Sequence, residues 1–89
     1  MTKQEYLLVC ANEEAIEIAT AIDKSLRFGL NNLVPNETYD NKTHIVKEFN
    51  DLVAILEMLV DQGVLLTGFN DREHIAAKKA KVLGTMKID

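Results

Sequence analysis

Residues 3–29 read KQEYLLVCANEEAIEIATAIDKSLRFG. Leu7, Leu8, Ala11, Ala15, Ile18, Ala19, Ile22 and Leu26 share one arc of a helical wheel, drawn at about 100° per residue. No Gly or Pro interrupts the run before Gly29. The spacing therefore predicts one long amphipathic helix from Lys3 to Phe28, stopped by Gly29 and the Asn31-Asn32 pair. Glu14 lies at one edge of the apolar arc, and Glu17 follows one turn later on the same side. Cys10 neighbours Glu14 on the wheel and is expected as a small buried thiol.

Working outward, residues 29–42 (GLNNLVPNETYDNK) carry Pro35, several Asn and an Asp, and read as a loop. It is long for a helix–helix connection, and such a loop is either functional or a spacer. A second helix is expected from Thr43 to Gln62, ended by Gly63. Its apolar arc is Ile45, Phe49, Leu52, Ile55, Leu56, Leu59 and Val60. Glu48 falls inside that arc and Asp51 at its edge near Met58. The apolar stretch 64–69 fits a turn or a strand equally. A third helix is expected from Asn70 to Leu83, with Asn70 and Glu73 resembling a capping box and Gly84 as the stop. This layout predicts an all-α chain of three helices, a single domain over residues 1–89.

Composition narrows the function classes. The chain has 89 residues, 47% hydrophobic and 27% charged, with one Pro, which suits a globular fold rather than a disordered one. Lys plus Arg is 10 against 14 for Asp plus Glu, a net charge of −4. A binder of nucleic-acid polymers or anionic membranes needs basic surface, so neither is expected as a partner. One cysteine excludes an intramolecular disulfide and a cysteine-rich zinc site. No apolar run reaches the roughly 18 residues of a membrane span. The opening MTKQEY lacks a basic region followed by an apolar stretch, so a cytoplasmic location is expected. A chain this small buries a limited share of its surface alone, which makes self-association an expectation.

Each long helix thus carries an acid pair at i and i+3 beside its apolar stripe. An ionised carboxylate there is costly without compensation, and like charges one turn apart repel. Three compensations are open. A basic residue could pair with each acid, the acids could face water, or a divalent cation could sit between the helices on Glu14, Glu17, Glu48 and Asp51. Hard oxygen ligands suit Mg²⁺ or Mn²⁺.

The run Glu13-Glu14-Ala15-Ile16-Glu17 gives EExxE, and Glu48-Phe49-Asn50-Asp51 gives ExxD. EExxE followed downstream by ExxD resembles the signature of the MazG-like all-α nucleoside triphosphate pyrophosphohydrolases. Lys24-Ser25-Leu26-Arg27-Phe28-Gly29 is similar to the family's ending of the first motif helix, and the run from Ile75 to Met86 to its lysine-rich closing helix. The pattern departs at Lys47, where many relatives carry an acid, and at Asn50, where Gly is common. The resemblance implies a four-helix-bundle-type core made by homo-oligomerisation, as a homodimer or homotetramer. It implies Mg²⁺-dependent hydrolysis of a nucleoside or deoxynucleoside triphosphate to monophosphate and pyrophosphate. Glu14, Glu17, Glu48 and Asp51 would be the metal ligands, and Glu13 would help hold a second metal or position the attacking water. The alternatives are a related phosphoribosyl-ATP or deoxyuridine nucleotide pyrophosphohydrolase, or a catalytically silent helical oligomer acting as an interaction module.

Further residues carry two readings each. Lys24 and Arg27 are candidate phosphate contacts, or cations that complement a helix C-terminus. Lys78, Lys79 and Lys81 are candidate phosphate contacts from the third helix, reaching across a subunit interface, or a solvated face. His44 is a candidate base-pocket or supporting residue, or a surface histidine. Phe28, Tyr39, Phe49 and Phe69 are candidates for stacking on a base, with Phe49 expected in the core.

Overall fold

The computed structural model describes residues 1–65, 67 and 69–88. Among them the chain is all-helical: α1 (Lys3–Phe28), α2 (Asn41–Asp61) and α3 (Arg72–Thr85). The only β pairing among the described residues is an isolated bridge between Leu33 and Asp40. Of the 64–69 stretch, Leu66 and Gly68 lie outside the described residues, and the others form bends and a turn. No described helix is long and apolar enough to cross a membrane.

Local chemistry sets the helix ends. At the start of α1, Thr2 and Glu5 form a reciprocal capping box, each side chain accepting from the other's backbone N–H. Gly29, at φ 97°, ends α1 in a conformation open to glycine. α2 begins at Asn41, two residues before the sequence reading placed it, because Asp40 caps it through the Thr43 N–H. The Asp40 carboxyl sits well below the usual carboxylate range, held first by the Lys42 ammonium and then by Thr43. Gly63, at φ 74°, closes α2. The Val64 N–H reaches the Leu59 carbonyl and the Gly63 N–H the Val60 carbonyl, which satisfies two orphan acceptors. Asp71, not Asn70, caps α3, accepting from the Glu73 and His74 N–H groups. α3 also runs through Gly84 to Thr85.

The 29–40 connection is internally bonded. The Val34 N–H donates to the Tyr39 carbonyl, the Asn41 N–H to Asn32 and the Lys42 N–H to Leu30. The buried Asn41 side chain donates to the Gly29 carbonyl at 2.9 Å. These bonds fold the chain back so that α1 and α2 pack as an antiparallel pair. α3 packs against neither.

The packed face of α1 differs from the wide arc read in the sequence. Leu7, Ala21 and Ser25 are buried, with Ala11, Glu14 and Ile18 half-buried along the same line. Leu8, Ala15, Ala19, Ile22 and Leu26 are exposed. Two helices meet along a narrow seam of alternating three- and four-residue steps, and one neighbour covers only that seam of a broader apolar arc. Phe49 is likewise exposed rather than in the core, while Leu59 is 1% exposed.

The pair is a single layer with two unlike faces. On α1, Glu13 and Glu17 lie to one side of the seam, and the Leu8–Leu26 stripe lies to the other, by their helical angles. On α2, Asp51 and His44 lie to one side and Phe49 to the other. Glu17 and His44 line one common hollow. That fixes the acidic sides of the two helices on one face of the layer and the apolar sides on the opposite face.

Candidate metal centre

The antiparallel register sets Glu14 of α1 against Glu48 and Asp51 of α2. One carboxylate oxygen from each lies within 4.8 Å of the other two. Glu14 and Glu48 are half-buried and Asp51 is exposed. The Glu14 carboxyl is raised above its ordinary 4.5, first by burial and then by repulsion from Asp51, Glu48, Glu17 and Glu13. Among the described residues neither Glu14 nor Asp51 has an ion-pair partner. The nearby cation Lys47 lies over the Tyr39 ring, 5.0 Å from its centroid.

Glu48 does have a partner. His44 sits one turn earlier, and its Nε2 lies 2.9 Å from Glu48 Oε1. The two side chains are 18% and 13% exposed, so His44 is not the surface histidine that one reading allowed. Its Nδ1 is buried with no hydrogen-bond partner among the described residues. The tilted Tyr39 ring covers the imidazole, with centroids 5.8 Å apart. This brace holds the Glu48 carboxylate that faces Glu14 and Asp51 by one of its oxygens.

The donor set suits a hard divalent cation. Three carboxylate oxygens this close, unpaired by lysine or arginine, need positive charge between them or a proton on one of them. Oxygens bound to one Mg²⁺ stand about 2.1 Å from the ion, so a small side-chain adjustment closes the cluster. Three protein ligands leave positions for water and for phosphate oxygens, the usual mode of Mg²⁺.

The remaining candidates divide. Glu17 lies outside the three-carboxylate cluster. With Ile16, Thr20, Lys24 and His44 it lines an adjoining hollow of about 310 Å³. Lys24 is half-buried there and has no ion pair among the described residues. Glu13 is exposed beside Glu14. Arg27 is turned to Asp23 at 3.6 Å and lies over the Phe28 ring, about 20 Å along α1 from Glu14 at 1.5 Å per residue. Lys78 and Lys81 are exposed on α3, which contacts neither helix of the site. Of the stacking candidates, Tyr39 is adjacent through His44. Phe28 lines a hollow at the loop end with Asn32, Leu33 and Pro35, Phe49 is on the apolar face, and Phe69 lies near Asp71 and His74.

Sequence reasoning left the role of His44 open. The signal was its i, i+4 spacing to Glu48. Thr20 and Ile16 gave none, because neither residue type marks a site. Comparison with protein-family models, with curated proteins and with solved structures gives no match. The functional reading therefore stands on the EExxE…ExxD resemblance and on the geometry of these carboxylates.

Proposed function

We propose that this chain is a divalent-cation-dependent pyrophosphohydrolase of nucleoside or deoxynucleoside triphosphates, acting as a homo-oligomer in the cytoplasm. The observation that carries the proposal is the meeting of Glu14, Glu48 and Asp51 across two helices, with no ion-pair partner for Glu14 or Asp51 among the described residues. These are three of the four acids that the family resemblance marks as ligands. The residues fit Mg²⁺ or Mn²⁺, held by Glu14, Glu48 and Asp51.

The bound cation supplies charge neutralisation and Lewis acidity at the phosphoryl oxygens. The chain supplies the rest. His44 orients Glu48. Lys24, on the wall of the adjoining hollow, takes a phosphate oxygen. Glu17 and Glu13, at the open edge of the cluster, position the attacking water and accept its proton. Hydrolysis breaks the α–β phosphoanhydride bond: water oxygen adds to the α-phosphorus and pyrophosphate leaves. Arg27 is too far along α1 for the reacting phosphates, and Lys78 and Lys81 reach them only from another copy.

The test is pyrophosphate release from a panel of ribo- and deoxynucleoside triphosphates with Mg²⁺, with Mn²⁺ and with chelator. Metal-dependent release of pyrophosphate and the matching monophosphate is expected. No release from any nucleotide, in folded protein, overturns the hydrolase and leaves the interaction module.

A further inference from the structure

We propose that Tyr39 is a positioning residue that holds the Lys47 ammonium away from Asp51, so that Asp51 stays open to a divalent cation; this role rests on the metal-centre reading above. Lys47 and Asp51 stand four residues apart on α2, about 40° apart around the helix. Side chains at that spacing are neighbours on a helix surface. Asp23 and Arg27, at the same spacing on α1, do pair, at 3.6 Å. Lys47 and Asp51 do not. Asp51 has no ion-pair partner among the described residues, and the Lys47 Nζ lies over the Tyr39 ring, 5.0 Å from its centroid. The cluster of Glu14, Glu48 and Asp51 offers a lysine three carboxylates, so the choice of the ring needs a cause.

The start of α2 supplies it. Tyr39 is the residue before the Asp40 N-cap, and His44 is the fourth residue of the helix. A contact between those two positions is a hydrophobic staple, and the two rings make it, with centroids 5.8 Å apart. The Tyr39 carbonyl also accepts from the Val34 N–H at 2.9 Å. Ring and backbone together fix Tyr39, half-buried, beside the first turns of α2. Lys47 follows His44 by three residues, and side chains on a helix lean toward its N-terminus, so the lysine stem runs toward the ring. A cation on the face of an aromatic ring is held at least as well as in an exposed ion pair. A lysine N-terminal to its acid is also the weaker order of an i, i+4 pair. Both effects favour the ring. Released from it, Lys47 would neutralise Asp51, and a divalent cation would have to displace the ammonium before binding.

Two readouts, one without metal and one with it, test this on the full chain. Tyr39→Leu keeps an apolar contact with His44 but removes the ring face, whereas Tyr39→Phe keeps both. Carbodiimide joins an amine to a touching carboxylate as an amide and itself takes up the water released. In metal-free protein the Lys47–Asp51 amide, read by peptide mass mapping, should form faster in Tyr39→Leu than in wild type or Tyr39→Phe. Equal rates in wild type and Tyr39→Leu overturn the proposal, whether or not the chain binds metal. In Mn²⁺ titrations Tyr39→Leu should weaken binding about two- to fivefold, the worth of one exposed ion pair. Lys47→Met should then raise affinity more in the Tyr39→Leu chain than in wild type. The same gain in both backgrounds contradicts the proposal, because loosening of the His44–Glu48 contact would not depend on Lys47. Absence of Mn²⁺ binding by wild type overturns the metal centre alone, and the amide rates still decide where the lysine lies. Misfolding of Tyr39→Leu is met by a measurement on wild type: the Lys47 Hε resonances should be shifted upfield by the ring, and unshifted resonances overturn the proposal.

Discussion

α2 and α3 start alike, each on an aspartate whose side chain accepts from backbone N–H groups of the first turn. They end differently. α2 lies along α1, buries Leu59 and Asn41, and carries two carboxylates of the acid cluster. α3 buries nothing and touches neither partner. Capping and composition make a helix in both places, but only packing gives a side chain a fixed neighbour. The acid cluster therefore exists where two helices constrain each other. The lysines of α3, equally suited to phosphate by chemistry, have no position relative to it within one chain.

The contrast can be sharpened by substitution. Leu59→Ala empties the tightest point of the α1–α2 seam and should cost about 2–5 kcal/mol in denaturant unfolding. A cost below about 1 kcal/mol would mean the seam is not the core. Asp51→Asn removes one carboxylate charge on the exposed side of the cluster. It should lower turnover at least about 100-fold while circular dichroism keeps the helix content. His44→Ala leaves the carboxylates in place but frees Glu48 to rotate. A loss of about 10–100-fold in cation affinity is expected, read by titration with Mn²⁺.

Glu14→Gln separates the two costs at the centre. The folded state holds the Glu14 carboxyl above its ordinary 4.5, so the folded chain binds that proton more tightly than the unfolded chain. Stability from this group is therefore greatest below 4.5 and falls as pH rises through the folded value. Without added cation, Glu14→Gln should raise Tm at neutral pH, and the gain should vanish below pH 4.5. With saturating Mg²⁺ the sign should reverse, because wild type gains a bound ion. Lys81→Ala, on α3, should change stability by less than about 0.5 kcal/mol. A fall in turnover from that substitution would show that α3 of another copy reaches the site.

The three helices were legible because their apolar periodicity and stops are strong and local. Their exact starts were less so: Asp40 and Asp71 displaced Thr43 and Asn70, since several capping residue types stood side by side. The face of α1 was only partly legible. Leu8, Ala15, Ala19, Ile22 and Leu26 are as apolar as Leu7 and Ile18, and no wheel says which edge of a wide arc a single partner covers. For the site, Glu14, Glu48 and Asp51 were marked by the cost of acids beside an apolar stripe. Glu17 carries the same mark but falls about 60° round the helix from Glu14, enough to set it beside the cluster instead of in it. The remoteness of Arg27 follows from its distance along α1. That of Lys78 and Lys81 depends on how α3 packs, which residue type does not determine.

The most direct test of the centre is electron paramagnetic resonance of Mn²⁺ titrated into the wild-type chain and into the Glu14→Gln, Asp51→Asn double variant. The expected result is ion retained by the wild type, displaced by Mg²⁺, and lost from the double variant with its helices intact. Retention that is equal in both proteins, or absent from the wild type, would contradict a metal centre on these three carboxylates.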